Sequence, residues 1–481
     1  MFSSPSPSPA RSAVPLCVDL DGTLVRTDLL TESICRLMRR PWLIPLLLVW
    51  LLKGRAHLKR EAARRTAIEP DGLPYNKELL EWLREERSRG RKLLLVTSAD
   101  EILASRISAY LGVFDEVLGS DGIRNLKGAN KQQVLVSRFG EGGYDYAGDS
   151  HADVPVWRSC RAAVLVNAAP ALADRVRSAK PLERVFARAE GNWRACRRAL
   201  RLHQWAKNLL IFIPLVTAHR LAETELLLRS LLMFLAFGLG ASATYLINDL
   251  NDLDSDRRHP TKRERPFASG AAPIAFAAVL IPLLLGGALV LVSLLGWPAA
   301  GVLLGYFAVT CLYSWYLKRV VLVDVFALAF LYTWRVIAGH VATGVAYSAW
   351  LLSLAIFCFL SLALAKRVSE LAQSQTPEGA LDRGYRAADR ALLDMFGVSS
   401  AFLSALVFAL YINSEKVVSL YRKPVLLWLL WPVLLYWLCR IWLLAHRGEL
   451  HEDAIVFALR DPLTYALSAV GGLIMFLAAR G

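Results

Sequence analysis

Cysteine is scarce in this sequence, and the arrangement of the few cysteines excludes two kinds of site. The seven cysteines contain no Cys-x-x-Cys pair, and none has a histidine at the spacing of a metal site. We therefore expect the cysteines to be small buried hydrophobic residues of a protein in a reducing compartment. An apolar run is also missing from the first 15 residues, which are rich in serine and proline. Residues 1–13 are predicted to be a disordered tail rather than part of a signal peptide.

Acidic residues are fewer than basic ones, 41 against 56, and the formal net charge is +15. Such an excess could indicate nucleic-acid binding. The apolar half of the chain offers a simpler explanation, because Lys and Arg concentrate in the cytoplasmic loops of membrane proteins. From about residue 207 the sequence is a series of apolar stretches, most of them near the length that crosses a bilayer. We therefore expect a bilayer as partner and no nucleic acid.

The more polar half before residue 190 places polar side chains at the ends of three predicted strands. Asp-Leu-Asp-Gly-Thr, residues 19–23, ends the first strand, Thr97 ends the second, and Asp149 follows the third. Strands that alternate with helical stretches predict a parallel α/β sheet, which binds ligands at the carboxyl ends of its strands. In phosphoryl transfer one aspartate attacks, a second acts as acid and base, and a lysine and a hydroxyl neutralise the phosphate.

These motifs resemble the haloacid dehalogenase (HAD) superfamily of phosphatases. The resemblance implies a Rossmann-like α/β domain over residues 14–185, with a helical cap at about 28–90. It implies that Asp19 is the nucleophile and Asp21 the acid and base. The phosphate-binding residues are then Thr97 and Lys131, and the Mg²⁺ ligands are Asp19, Asp149 and Asp153. A degenerate, inactive copy of this domain is the alternative.

An apolar segment of about twelve residues, 41–52, lies within the predicted cap. It is too short to cross a bilayer. Basic residues flank it on both sides, as they do in segments that lie at a membrane interface. Two interpretations remain open: this segment dips into the interface, or it is a buried cap helix.

The second half predicts an all-α membrane domain over residues 195–481 with about nine transmembrane helices. The stretches lie at 205–219, 226–247, 273–294, 298–317, 321–343, 346–365, 391–413, 424–445 and 462–480. Basic residues concentrate in the connections after every second helix. The positive-inside rule therefore predicts a multi-pass protein of the inner membrane with both active sites in the cytoplasm.

Four aspartates lie within the acid segment, defined as residues 248–256, directly after the second predicted span. Charge at bilayer depth is costly and is usually functional. In a continuing helix, Asn248, Asp249, Asp252 and Asp256 would share one face. Clustered carboxylates favour Mg²⁺, which takes further ligands from a phosphate substrate. The alternative is that these acids merely make a loop soluble.

The acid segment and the sequence that follows it, His-Pro-x-Lys-x-x-Arg-Pro-x-x-Ser-Gly, are similar to the UbiA prenyltransferase superfamily. Residues 200–208 resemble its decaprenyl-phosphate phosphoribosyltransferase branch. The resemblance implies that Asp249, Asp252 and Asp256 hold Mg²⁺. The expected substrate-binding residues are Asn248, Lys207, Lys262, Arg265, Tyr313, Lys318, Lys366 and Arg367. Asp324 and Arg335, in the fifth span, either contribute to the site or pair with each other.

One departure from the superfamily concerns the second acidic motif of its aromatic prenyltransferases. After the sixth predicted span this chain has Lys366 and Arg367, followed by Asp382 and Arg383. Cations there favour a polyprenyl monophosphate over a prenyl diphosphate. The leading hypothesis is therefore transfer of 5-phosphoribosyl from phosphoribosyl diphosphate to polyprenyl phosphate, with the HAD domain removing the 5-phosphate. The alternatives are an aromatic polyprenyltransferase that uses prenyl diphosphate and a membrane-anchored phosphatase. The sequence does not indicate an oligomeric state.

Overall fold

The computed structural model describes residues 14–187, 192–373, 384–450, 454–458 and 460–480. The predicted tail over 1–13 lies outside these ranges, as do Asp382 and Arg383. The chain forms two compact units. The first unit comprises residues 1–200 and 246–280, and the second comprises 201–245 and 281–481. The acid segment therefore packs with the soluble half of the sequence.

A six-stranded parallel sheet forms the centre of the first unit. Its strands are β1 (Leu16–Val18), β2 (Leu93–Asp100), β3 (Glu116–Ser120), β4 (Asp145–Gly148), β5 (Ala163–Val166) and β6 (Leu182–Phe186). Their order in the sheet is β3-β2-β1-β4-β5-β6. Strands β1, β4 and β5 are fully buried, which explains their apolar sequences. The predicted parallel α/β sheet is confirmed, and β1 lies between the two strands that were expected to share its site.

Helices cover this sheet and build the cap. They are α1 (Leu29–Met38), α2 (Ile44–Leu52), α3 (Arg55–Arg65), α4 (Lys77–Ser88), α5 (Glu101–Leu111), α6 (Ala129–Phe139), α7 (Val154–Ser159), α8 (Pro170–Ala179) and α9 (Asn192–Ala199). Side-chain caps set where some of them begin. Asp28 accepts a hydrogen bond from Thr31 N at 2.7 Å and starts α1.

The apolar segment of the cap folds into a short 3₁₀ helix, Pro41–Leu43, followed by α2. Leu47 and Trp50 pack on Leu37 and Leu58 in a small core. Most other large side chains of the segment are exposed, among them Leu48. The segment is therefore helical, as the cap interpretation expected, but it is not buried.

The remaining helices are long and apolar. They are α10 (Ile213–Thr217), α11 (Thr224–Asn251), α12 (Leu253–Arg258), α13 (Ile274–Ser293), α14 (Trp297–Trp315), α15 (Val323–Thr343), α16 (Ala349–Gln373), α17 (Arg390–Ile412), α18 (Glu415–Val418), α19 (Leu430–His446), α20 (Ala454–Ala458) and α21 (Pro462–Arg480). Within the second unit, α15 contacts α10, α14 and α16.

Eight helices in the described part of the chain are long and apolar enough to cross a membrane. They indicate a multi-pass membrane protein, close to the predicted nine spans. The difference lies at residues 205–219, which form a 3₁₀ helix, Leu202–Phe212, followed by the five-residue α10. This stretch was the shortest of the nine, and Pro214 stands in the first turn of α10, where a proline is tolerated.

Candidate active sites

The carboxyl ends of β1 and β4 bring together three aspartates of the first unit. Asp19 follows β1, and its backbone N–H donates to Ala147 O at 3.0 Å in β4. Asp149 follows β4, and Asp153 lies one turn further on. Carboxylate oxygens of the three residues lie within 4.8 Å of one another. In the part of the chain that the structure describes, no other three His, Cys, Asp or Glu residues are gathered this closely.

Lys131 lies at the centre of this site and is buried. Its Nζ donates to Asp19 Oδ1 at 2.8 Å and lies 3.5 Å from Asp153 Oδ1. It also donates to the hydroxyl of Tyr146 at 2.6 Å, and that hydroxyl donates to Asp153 Oδ1 at 2.7 Å. Tyr146 was not identified from the sequence, because a tyrosine inside a buried strand has no motif. It holds the lysine and a predicted metal ligand in one network.

Gly22 lies against the Asp149 carboxylate and leaves no space for a side chain of its own. Its φ is +78°, in the left-handed region, and a Cβ there would lie 2.3 Å from Asp149 Oδ2. The carbonyl of Gly22 accepts from Asn167 Nδ2 at 3.0 Å. The hydroxyl of Thr23 donates to Asp149 Oδ1 at 3.5 Å. The glycine of the Asp-x-Asp-Gly-Thr motif thus lets the β1 loop approach a carboxylate from another strand.

Burial and mutual repulsion perturb the acids of this site. Burial raises the pKa of Asp19 to about 6, with Lys131 opposing the shift and Asp153 adding to it. Burial, then the charges of Asp19 and Asp153, raise the pKa of Asp149 to about 7. Carboxylates held this closely repel one another, and a bound cation would relieve that repulsion. All three carboxylates offer oxygen, the ligand type that Mg²⁺ prefers, so the residues fit a magnesium ion.

The two remaining predicted residues lie in β2 and before α1. Thr97 was expected to end the second strand, but β2 continues past it to Asp100. Thr97 is fully buried in β2, and its hydroxyl accepts from Ala99 N at 3.0 Å. Asp21 Oδ1 accepts from Leu29 N at 3.0 Å, at the first residue of α1. Burial raises the pKa of Asp21, and the charge of Asp28 adds to the shift. A carboxyl with a raised pKa suits a general acid.

Lys59 of the cap is a further residue that sequence reasoning missed. Its Nζ donates to Ser98 O at 2.5 Å and to Asn125 Oδ1 at 2.9 Å. Burial lowers its pKa, while the charge of Asp21 opposes that change. A cation from α3 therefore reaches the sheet beside the acids. The only sequence signal was a lysine at a position that helical spacing places on the buried side of α3.

The acid segment crosses the junction of two helices. Helix α11 ends at Asn251 and α12 begins at Leu253, but the turns continue across the break. Asp252 N donates to Asn248 O, and Asp256 N donates to Asp252 O, both at 2.8 Å. Asp249 and Asp256 are buried. The predicted helical spacing is therefore kept through the segment.

Arg265 binds two of these acids. Its Nη1 donates to Asp256 Oδ2 at 2.7 Å and lies 3.5 Å from Asp249 Oδ1. The sequence predicted that this arginine binds substrate phosphate, which stays a prediction. In the structure its guanidinium lies between the carboxylates of Asp249 and Asp256, and its positive charge offsets their repulsion.

The cap contacts the acid segment through α1. Arg257, directly after Asp256, makes two hydrogen bonds to Glu32, which is fully buried. Arg36 Nη2 donates to both Glu32 and Asp254. The pairs Glu32–Arg257 and Arg36–Asp254 join residues more than 200 positions apart, and sequence reasoning did not find them.

Residues of the second unit that were predicted to bind substrate have varied surroundings. Asn208 is buried, and its Oδ1 accepts from Arg335 Nε at 2.9 Å. Arg335 also donates to the Tyr306 hydroxyl at 2.6 Å. Lys207 Nζ lies 5.6 Å from the centre of the Tyr332 ring. Lys207, Asn208 and Arg335 were singled out in the sequence, whereas Tyr306 and Tyr332 were not. Arg335 pairs with Asn208 and Tyr306, and Asp324 with Arg367, rather than with each other.

Arg367 lies inside the second unit. Its Nε donates to Asp324 Oδ2 at 2.8 Å, and its Nη1 pairs with Glu370. Arg367 and Asp324 are fully buried, and Asp324 also accepts from the Tyr385 hydroxyl. These partners account for Arg367 and Asp324, and substrate binding by Arg367 stays a prediction. The other predicted substrate-binding residues are half-buried, namely Asn248, Lys207, Lys262, Arg265, Tyr313, Lys318 and Lys366.

An apolar cavity of about 520 Å³ lies within the second unit. Side chains from several helices line it, including Ile213, Phe359, Tyr411, Leu434 and Leu467. Its lining offers hydrocarbon contact and few polar groups, which suits an aliphatic chain.

Comparison with known proteins gives two family matches and several relatives. The UbiA prenyltransferase family matches residues 211–476, more than half of the chain. Haloacid dehalogenase-like hydrolases match residues 16–158.

Relatives with sequence identity of about a third or more cover between 44% and 95% of this chain. The uncharacterized protein y4nM of Sinorhizobium fredii is 40% identical over 470 residues, 95% of this chain and 89% of that protein. The nodulation protein NoeC of Azorhizobium caulinodans is 32% identical over 294 residues, 59% of this chain and 93% of that protein. A decaprenyl-phosphate phosphoribosyltransferase of Mycobacterium tuberculosis is 33% identical over 222 residues, 44% of this chain and 72% of that protein.

Proposed function

This chain belongs to the UbiA prenyltransferase family and carries an N-terminal HAD-like hydrolase domain, and we propose that it transfers 5-phosphoribosyl from phosphoribosyl diphosphate to a polyprenyl phosphate. The observation that carries the proposal is its similarity to a decaprenyl-phosphate phosphoribosyltransferase over 72% of that protein. Lys366 supports it, because a cation stands there in the region where aromatic prenyltransferases of the superfamily carry acids.

The acid segment is the proposed site of diphosphate departure. Both families generally depend on divalent metal ions, and we infer Mg²⁺ here from the all-oxygen ligand set. Asp249, Asp252 and Asp256 would hold it, and it would supply positive charge to the leaving diphosphate. Arg265 and Lys262 belong to the same part of the chain and would neutralise further phosphate oxygens. The lipid phosphate oxygen attacks the anomeric carbon as the bond to diphosphate breaks.

The apolar cavity of the second unit is proposed to hold part of the polyprenyl chain. Its volume of about 520 Å³ exceeds that of a single side chain, and its lining is mostly aliphatic and aromatic. We infer that Lys207, Tyr313, Lys318 and Lys366 bind substrate oxygens.

The HAD-like domain is proposed to remove the 5-phosphate from the transferase product. Asp19 attacks phosphorus, and the ribose oxygen leaves with a proton from Asp21. Asp21 then takes a proton from water, which attacks the phosphoaspartate, releases inorganic phosphate and restores Asp19. Lys131 and Thr97 would neutralise phosphate oxygens. A metal ion on Asp19, Asp149 and Asp153 would add further positive charge.

We infer that the protein lies in the cytoplasmic membrane with the HAD-like domain and the acid segment in the cytoplasm. The support is the concentration of basic residues in alternate connections of the apolar helices. We propose the domain boundaries that the sequence predicts, 14–185 for the HAD-like domain and 195–481 for the membrane domain.

The test incubates the purified full-length protein with Mg²⁺, phosphoribosyl diphosphate and a polyprenyl phosphate, followed by mass spectrometry of the lipid. A lipid-linked phosphopentose is expected from the transferase, and a lipid-linked pentose when the phosphatase also acts. A parallel reaction contains a prenyl diphosphate and an aromatic acid. Prenylation of the aromatic acid without any pentose lipid would overturn the proposal in favour of an aromatic prenyltransferase.

A further inference from the structure

Four arginines line one cavity in the cap of the first unit. The cavity, of about 210 Å³, lies beside the ends of α1 and α3. Its charged lining residues, which we call the arginine pocket, are Arg36, Arg39, Arg40, Arg65 and Asp254. Three of the guanidinium groups pair with carboxylates, Arg36 with Glu32 and Asp254, Arg39 with Asp254, and Arg65 with Glu61. The positive charge that favours an anion here is therefore that of Arg40. Planar guanidinium groups match phosphate oxygens in pairs.

The pocket keeps hydrogen-bonding capacity that protein groups do not use. The Arg36 side chain is 10% exposed, and among the described residues its buried Nε has no hydrogen-bond partner. Arg40 is exposed and forms no ion pair with any residue that the structure describes. A buried donor left unsatisfied is costly, so an incoming acceptor would stabilise this arrangement.

Helix α2 and the residues before it extend the pocket with an apolar surface. The segment follows Arg40 directly, and its outward side chains are unusually exposed for large hydrophobic residues. Trp42 is 71% exposed, Leu48 63% and Leu52 88%. Monomeric soluble proteins rarely leave such a continuous apolar surface uncovered. A ligand that fits both surfaces has an anionic head and an apolar tail.

One contact places the pocket at the end of a membrane span. Arg39 Nη2 donates to Leu250 O at 2.9 Å. Leu250 lies in the last turn of α11, which is a candidate span. A bilayer span that ends with α11 would bring lipid head groups close to Arg39.

We propose that the arginine pocket binds the phosphate monoester head group of a lipid whose chain lies against the exposed side of α2. The lipid source is favoured over free phosphate because the apolar surface adjoins the cations and a span ends beside them. The proposal concerns binding alone and does not depend on which reaction the protein catalyses.

The first test measures binding of fluorescent phosphatidic acid to the full-length protein in detergent micelles, with fluorescent phosphatidylcholine as the comparison. The variant R40E is expected to lower the affinity for phosphatidic acid several-fold. Arg64→Glu is the matched control, since Arg64 is exposed on α3 and does not line the cavity. Equal losses in both variants, or no loss in R40E, would overturn the proposal.

The second test separates lipid phosphate from free phosphate. Phosphatidic acid is expected to bind at least about tenfold more tightly than inorganic phosphate, since burial of two methylenes alone corresponds to that factor. Leu48→Asp should lower only the affinity for the lipid. Equal affinities, unaffected by Leu48→Asp, would assign the pocket to a free anion and contradict the lipid proposal.

The third test is independent of affinity. The full-length protein carries p-benzoylphenylalanine in place of Leu48 and is irradiated in nanodiscs that contain phosphatidic acid. A lipid adduct is expected at this position. The matched control carries the same group in place of Ile123, an exposed hydrophobic residue (94%) elsewhere in the first unit. Cross-linking of position 48 to a second copy of the chain, or equal lipid adducts at both positions, would overturn the proposal.

Discussion

Glu32 and Arg257 form a two-pronged ion pair, in which Arg257 Nη1 donates to Oε1 at 2.8 Å and Nη2 to Oε2 at 3.0 Å. The side chains are 0% and 4% exposed. Glu32 Oε1 also pairs with Arg36 Nη2 at 2.9 Å. One carboxylate therefore binds two guanidinium groups and holds α12, with its aspartates, against the cap helix α1.

Glu32→Gln is expected to destabilise the protein by about 3–5 kcal/mol, because it leaves buried arginine charge without a partner. Transferase activity should fall as well, since α12 loses its anchor. Thermal unfolding of the full-length protein in detergent gives the first result. Asp174→Asn is the control, because its pair with Arg177 is exposed and worth below about 1 kcal/mol. The variant Arg257→Gln combined with Glu32→Gln should cost less than the sum of the two changes, and strict additivity would contradict the coupling.

Asp19→Asn is expected to abolish phosphate release while transferase activity persists. The amide cannot form the phosphoaspartate, and the transferase residues belong to another part of the chain. The lipid-linked phosphopentose should then accumulate, as measured by mass spectrometry of the lipid products. If the wild type and Asp19→Asn give the same products, the proposed role of the HAD-like domain is wrong.

Gly22→Ala should inactivate the phosphatase through a clash with Asp149. Its Cβ would lie 2.3 Å from Asp149 Oδ2, at a backbone φ of +78°. Gly140→Ala is a close control, since Gly140 has the same φ and nothing within 4 Å of its Cβ. Both variants place a side chain at a positive φ, which costs of order 1–3 kcal/mol, and only the first displaces the carboxylate. Hydrolysis of p-nitrophenyl phosphate compares them, and equal losses would show that strain alone matters.

Asp256→Asn is expected to lower the transferase rate by about 10–100-fold and to raise the Mg²⁺ concentration needed for half-maximal rate. It removes a proposed metal ligand that also binds Arg265. Ser255→Ala, in the same turn of α12 but exposed, is the control. Titration of the rate with Mg²⁺ checks the prediction, and an unchanged titration for Asp256→Asn would remove this residue from the metal site.

Arg91→Leu tests the stability of the first unit at the opposite end of the strands. Arg91 is 1% exposed and its Nη1 binds Glu86 at 2.9 Å and Glu183 at 2.8 Å, while its Nη2 binds Asp145. Removal of this cation takes the arginine partner of Glu183, while Asp145 keeps Arg161 and Glu86 keeps Arg89. The expected cost is about 3–5 kcal/mol. Arg177→Leu, at an exposed pair, should cost little. Thermal unfolding distinguishes the two.

The sequence was most informative where chemistry depends on short motifs at the ends of strands. Asp19, Asp149 and Asp153 were predicted to share a site, and the structure brings their carboxylates together. Tyr146 and Lys59 could not be predicted, because their positions depend on side-chain packing between distant segments. The segment 205–219 shows the limit of hydropathy, which identifies an apolar stretch without excluding a 3₁₀ helix.

The contact between Glu32 and Arg257 lay beyond prediction for a different reason. The two residues are 225 positions apart, and nothing in a single sequence indicates that a cap glutamate has its partner after a membrane span. Arg367 shows the reverse case. Its position suggested a substrate, and only the fold reveals that Asp324 and Glu370 neutralise it.

The division of the first unit into residues 1–200 and 246–280 has a consequence for biosynthesis. Domains generally fold in the order in which they leave the ribosome. Here Glu32 is synthesised long before Arg257, and α11 separates them in the chain. The cap therefore receives this ion pair only after α11 has been synthesised. A fragment that ends at Leu200 would lack residues 246–280 of its own unit.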